Sequence, residues 1–212
     1  MLHHENAKVQ RGRLLVLEGP DGVGKTGVVD GLLQKFRSSS IPTHTLAFPG
    51  RGDDNLGGLV YRIHHEKESL GITSGITNLA LQTLHIAAHV DAIESVIIPK
   101  LQEGTTIVLD RFWWSTWVYG TLTGIAPPLL EHLIHTEKAV WGEHSPDHVI
   151  LLDRAEPLRS DAADSWQARR TEYSRLAERE AEFYRVHRVQ NDASLHNTVE
   201  HIWELLWPKS ST

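Results

Sequence analysis

The 212-residue sequence contains no cysteine, which excludes disulfides and any metal centre built on thiolates. No apolar run approaches the length of a membrane span. The first residues, MLHHENAKVQRGR, lack the apolar core of a secretory signal. Positive charge is not in surplus: 21 Lys and Arg stand against 27 Asp and Glu, a formal net charge of −6. General electrostatic attraction to nucleic acid is therefore missing, and only a local basic cleft would serve that purpose. The His-Glu-x-x-His metal pattern is absent, so the 14 histidines, including the pairs His3-His4 and His64-His65, read as surface and polar-cleft residues. There is no internal repeat, low-complexity tract or linker. The expectation is a single domain over residues 1–212, cytoplasmic and without a membrane partner, with residues 1–12 as a flexible N-terminus.

What the sequence does contain is a regular alternation. Short apolar runs at 13–18, 43–48, 105–110 and 147–153, with a weaker one at 187–192, read as strands. Helical patterns lie between them at 25–37, 56–66, 76–102 and 168–184, with a last one at 198–207. Continuously apolar strands separated by helices imply an α/β protein, a three-layer sandwich with a five-stranded parallel sheet and helices on both faces. Pro127-Pro128 and the segment 142–146 read as loops.

The first strand runs into GPDGVGKT, which matches G-x-x-x-x-G-K-[ST] between a strand and a helix. Glycines allow backbone N–H groups to turn inward around phosphate oxygens, and the new helix adds the positive end of its dipole. Gly19, Asp21, Gly22, Val23, Gly24, Lys25, Thr26 and Gly27 are the expected ATP contacts. Lys25 is placed at the β- and γ-phosphates and Thr26 on Mg²⁺. The third strand ends in Asp110-Arg111. Asp110 suits the Mg²⁺ shell, and Arg111, at the carboxyl edge of the sheet, suits an acceptor phosphate.

With these residues in place, the chain resembles the thymidylate kinase family of P-loop nucleoside monophosphate kinases. The features shared are the acid Asp21 inside the phosphate loop, FPGR at 48–51, and DR followed by Phe112, Ser115 and Tyr119. The order of the later segments agrees as well, from about residue 13 onward. The resemblance implies that Asp21 bonds the 3′-hydroxyl of the acceptor sugar, and that Arg51 and Arg111 hold the acceptor phosphate. It also places Phe48 in the acceptor site, Ser115 near the base, and Tyr119 against the sugar, where it disfavours a ribose. A homodimer follows by the same resemblance.

The pattern departs from the family at two places. Where the family presents an aromatic and an arginine to the base, this chain has His85 and His89, one helical turn apart, with Asp91 close in sequence. Imidazoles in those positions leave the preference for thymine open. The residue after Asp21 is Gly22, so a catalytic arginine is expected from a lid over 154–170, which offers Arg154, Arg159, Arg169 and Arg170. Arg169 or Arg170 is the expected contributor, with Arg159 next. Trp113, Trp114 and Trp117 read as core or subunit interface, or as a platform for a base or an extended ligand. Three readings follow. The first is transfer of the ATP γ-phosphate to a deoxypyrimidine monophosphate, dTMP first. The second is transfer to hydroxymethylpyrimidine within DNA, the one case with a nucleic-acid partner. The third is an ATP-dependent regulatory protein without transfer.

Overall fold

The computed structural model describes residues 11–160 and 164–208. Residues 1–10, which include His3-His4 and most of the expected N-terminal arm, and residues 161–163 of the expected lid, lie outside the described part. Five strands, β1 (Leu14–Glu18), β2 (Thr43–Ala47), β3 (Thr106–Asp110), β4 (His148–Asp153) and β5 (Val186–Gln190), form one parallel sheet in the order β2-β3-β1-β4-β5. The helices are α1 (Lys25–Ser38), α2 (Leu56–His65), α3 (Asn78–Ala92), α4 (Ile98–Gln102), α5 (Trp113–Leu122), α6 (Pro127–Trp141), α7 (Trp166–Glu180) and α8 (Leu195–Leu206). No described helix is long and apolar enough to cross a membrane.

Strand side chains alternate between the two faces, so one apolar run feeds two cores. Leu14 and Val16 of β1, with Ile107, Leu109, Val149 and Leu151, meet α3 to α7 through Ile93, Trp113, Trp114, Ile134 and Tyr173. Leu15 and Leu17, with Val108, Ile150 and Leu152, meet α1 and α8 through Val28, Leu32, Phe36, Val199 and Ile202. Each such side chain, fully buried, contributes about 1.5–3 kcal/mol. Trp113 and Trp114 are fully buried, and Arg179 covers the Trp117 ring at 4.5 Å. The tryptophan cluster is therefore a core layer, not a platform open to a base.

The long helix expected over 76–102 is α3 and α4 joined by a π-helical turn at Ile93–Ile97. Pro99 explains the turn: it has no N–H to donate, and its ring crowds the carbonyl of the preceding turn. Pro127 and Pro128 do not form a loop. They open α6, where a missing N–H is harmless and the fixed φ already suits a helix.

At the amino edge of the sheet, Arg13 Nη2 donates to His148 Nε2 at 2.6 Å. His148 Nδ1 then faces His187 Nε2 at 2.8 Å, with the rings stacked 5.0 Å apart. An Nε2 that accepts leaves the proton of a neutral imidazole on Nδ1, directed at His187. Burial, then the charge of Arg13, lowers His148 from 6.5 to about 4. The unfolded chain takes this proton below 6.5, whereas the folded chain refuses it until about 4. Stability is therefore complete above that range and falls as pH descends through it. The thermal unfolding midpoint should drop over this window, and His148→Gln should make the drop shallower by one proton, as read from unfolding curves across pH. An unchanged slope in the variant would remove His148 from the acid response.

Candidate active site

The parallel register brings the carboxyl ends of the strands level. Leu17 lies opposite Asp110, Ala47 opposite Asp110, and Asp153 opposite Gln190. The loops that leave this edge build the site, as open α/β sheets dictate.

The phosphate loop follows β1. Gly19, Gly22 and Gly24 have φ of 141°, 88° and 98°, a region that a side chain would strain. Space is also closed at two of them: a Cβ on Gly19 would come within 2.6 Å of the Leu152 carbonyl, and one on Gly24 within 2.5 Å of Asn191 Nδ2. Val23 is buried beneath the turn, and Gly27 lies against Leu195 of α8. Asn191, after β5, donates from Nδ2 to the Val23 carbonyl at 2.7 Å and accepts from Thr198 Oγ1 at 2.8 Å. Lys25 is buried, its Nζ donating to the carbonyls of Gly19 (2.7 Å) and Pro20 (3.1 Å). Burial, then the charge of Arg111, brings Lys25 down to about 8. Thr26 is exposed in the first turn of α1. Asp110 Oδ1 is buried and meets no hydrogen-bond donor among the described residues.

Beside the loop, Arg111 adopts φ 85°, a conformation that costs a non-glycine residue about 1–3 kcal/mol. It is held there by a residue that motif reasoning did not single out. Glu18, the last residue of β1, is fully buried. Its Oε1 accepts from the N–H of Phe112 (2.7 Å) and of Ser115 (3.0 Å), and its Oε2 from Ser115 Oγ (3.0 Å). Arg111 N–H itself donates to the Leu17 carbonyl at 2.9 Å. Ser115 Oγ, having donated to Glu18, accepts from Arg111 Nη1 and from the Tyr173 hydroxyl, both at 2.9 Å. Its one proton and two lone pairs are all used. Burial pushes Glu18 up from the ordinary carboxylate range, while Arg111 and Lys25 pull it the other way.

Asp21 completes this corner. Its carboxylate is paired with the Arg111 guanidinium and accepts from the Tyr119 hydroxyl at 2.5 Å. Partial burial alone would raise it, but Arg111 and the Tyr119 bond bring it to about 2. Burial raises Tyr119 to about 12, so it stays a donor.

These groups open onto a cleft of about 380 Å³. Phe48, Arg51, His85, His89, Ser115 and Tyr119 all border it, with Tyr61, His64, His65 and Arg159. Arg51 is exposed and lies over the Tyr61 ring at 5.2 Å. The loop that carries it packs directly on α2: a Cβ on Gly58 would lie 1.7 Å from the Gly52 carbonyl. The carboxylate beside His89 is not Asp91, which is exposed, but Glu137 of α6. Over the loop, Leu158 N–H donates to the Gly22 carbonyl at 2.9 Å, which joins the expected lid segment to the phosphate loop. Arg169 lies near enough for its charge to act on Asp21 and Tyr119. Arg170 turns elsewhere, binding Asp153 through Nε (2.5 Å) and Nη2 (2.8 Å).

A glycine cradle ending in a buried lysine, with an arginine-bearing cleft at the same sheet edge, defines a P-loop α/β protein. A family model described as "Thymidylate kinase" matches residues 17–201. The chain belongs to the thymidylate kinase family. It is 31% identical over 186 residues to a thymidylate kinase of Chlorobium chlorochromatii, covering 84% of this chain and 78% of that one. Against one of Cupriavidus necator it is 29% identical over 197 residues, covering 83% and 89%. The match to a thymidylate kinase of Rhodopseudomonas palustris, 31% identical, covers 70% of this chain but only 61% of that protein. The crystal structure of thymidylate kinase from Ehrlichia chaffeensis superposes with a TM-score of 0.70 over 92% of this chain and 99% of that one, at 20% identity, a likeness of fold.

Gly58 gives the geometry a direct test. Gly58→Ala should displace the Arg51 loop and raise the acceptor KM about tenfold or more, since a shift of about 1 Å in a positioning group has effects of that order. The KM for ATP should hold. Gly75→Ala, whose Cβ meets nothing within 4 Å, is the silent control. Equal behaviour of the two variants would detach α2 from the acceptor side.

Proposed function

We propose that this chain transfers the γ-phosphate of ATP to a deoxypyrimidine nucleoside monophosphate, with dTMP as the first acceptor. The observation that carries the reading is the corner formed by Asp21, Arg111 and Tyr119. It joins the phosphate loop to the second cleft through hydrogen bonds, and a protein that only grips a nucleotide has no use for it. Phosphoryl transfer asks for alignment and charge neutralisation more than for covalent help.

In this reading the loop amides and Lys25 hold the β- and γ-phosphates, while Arg51 and Arg111 hold the acceptor phosphate. Asp21, fixed between Arg111 and Tyr119, meets the sugar hydroxyl, and the Tyr119 ring crowds a ribose. The residues also fit Mg²⁺: the buried, donor-free Oδ1 of Asp110 and the exposed Thr26 hydroxyl would hold it. Bound there, the ion would neutralise phosphate charge. Lys25 and Arg111 approach the transferring group from either side, and Arg169 from the lid supplies the third cation. A homodimer and a cytosolic location belong to the same proposal and rest on family membership alone.

The test is acceptor-dependent ADP formation with ATP, Mg²⁺ and a panel of nucleoside monophosphates, with hydroxymethyluracil-containing DNA alongside. Turnover with dTMP is the expected result. Label in DNA would move the acceptor to a polymer, and ADP release indifferent to every acceptor would sink transfer altogether.

The lid arginines separate by the same assay. Arg169→Ala should lower kcat by about 10²-fold or more, with the ATP KM little changed. Arg170→Ala should instead lower the unfolding midpoint, because Asp153 loses its bidentate partner, and should leave the turnover of the folded fraction near normal. The reverse pattern would transfer the catalytic role to Arg170.

A further inference from the structure

Glu137 is fully buried in α6 and takes no part in holding phosphate. Its Oε1 accepts from Trp141 Nε1 at 3.2 Å, and its Oε2 accepts from His89 Nδ1 at 2.6 Å. A desolvated carboxylate is tolerated only where donors meet it, and these two are its donors. The His89 ring is fixed a second time by stacking on Phe48, with centroids 4.1 Å apart and planes 24° from parallel. His89 nevertheless borders the acceptor cleft. With Nδ1 committed as a donor, the nitrogen left for a ligand is Nε2, which in a neutral imidazole carries a lone pair.

We infer that Glu137 sets His89 as a hydrogen-bond acceptor toward the acceptor base, so that the cleft selects a pyrimidine presenting an N–H on that edge. The inference rests on the nucleoside monophosphate reading and deepens it. An arginine at this point can only donate and would read a carbonyl, whereas His89 held by Glu137 reads the opposite partner. The imide N3–H of thymine or uracil supplies that hydrogen, and so does the exocyclic amine of cytosine. Glu137 acts through His89 and is a positioning residue.

The experiment has two arms on the unaltered chain and one on a variant. Nitrogen-15 NMR of histidine-labelled protein near neutral pH reports the His89 tautomer directly, and the expected state has the proton on Nδ1 with Nε2 bare. Turnover is then compared among dTMP, dUMP, dCMP and N3-methyl-dTMP, and the methylated substrate should lose at least about tenfold in kcat/KM because its N–H is gone. Preference for dTMP and dUMP assigns the imide hydrogen, and preference for dCMP the amine. Glu137→Gln should raise the KM of the N–H-bearing acceptors about tenfold, leave the ATP KM unchanged, and abolish the single tautomer. A proton found on Nε2 of His89 would overturn the inference, as would N3-methyl-dTMP turning over as well as dTMP. If none of these monophosphates is a substrate, the functional reading has failed, and the tautomer still decides whether Glu137 sets His89.

Discussion

The site depends on one buried carboxylate. Glu18 ends the central strand and accepts hydrogen bonds from the backbone of Phe112 and Ser115, which belong to the turn after the neighbouring strand. It thereby ties the phosphate loop, which starts at the next residue, to the turn that presents Arg111. Arg111 would not hold φ 85° on its own preference. The surrounding bonds over-determine it: its N–H on Leu17, its guanidinium on Ser115 and Asp21, and the following N–H on Glu18. A neutral side chain in place of Glu18 would leave several donors in the core without a partner, a loss larger than any one of those bonds contributes. Burying a carboxylate there is made tolerable by the same cations that the chemistry needs, Arg111 and Lys25.

Around that tie, each substrate half-site receives its own backbone support. Asn191 and the Leu158 N–H brace the phosphate loop from the β5 and lid sides. On the acceptor side, Gly57 and Gly58 let α2 come against Pro49 to Gly52, and Arg51 rides on that contact. The acceptor-side support is a close backbone approach, which explains why glycines stand at it.

Much of this was legible in the sequence because it is local. A strand, a glycine turn and a helix adjoin along the chain, so GPDGVGKT announces its own fold and chemistry. Asp110-Arg111 at a strand end is equally local, and the alternation of apolar runs implied the parallel sheet. Spacing is blind to partners that only the fold brings together. Glu18 meets Ser115 across 97 positions and Glu137 meets His89 across 48. Asp91, near His89 in sequence, is exposed and is not the carboxylate that binds it. Arg169 and Arg170 are adjacent and chemically equal in sequence, yet helical geometry sends them to different neighbours, and no pattern of residue types separates them. The tryptophans had the opposite difficulty. Their composition suits a ligand platform as well as a core, and only burial decides.

The charges show how an acidic chain gathers cations at one edge of its sheet. The net charge of −6 keeps the surface negative, but the sheet edge gathers Lys25, Arg111 and Arg169, with Arg51 and Arg159 around the cleft. Burial first, and the charge of Arg111 second, lower Lys25 to about 8. The loop carbonyls, with Asp110, Asp21 and Glu18, offset part of that cost. Incoming phosphates relieve it better, because each oxygen carries charge that a carbonyl lacks. Burial, then the neighbouring His89, holds His85 down to about 3, so this ring adds little to that cluster. Under the proposed reading, selectivity for the base rests on the direction of single hydrogen bonds, and the bond between Glu137 and His89 fixes one of those directions. A buried acid that orients one imidazole has more influence there than another cation would have.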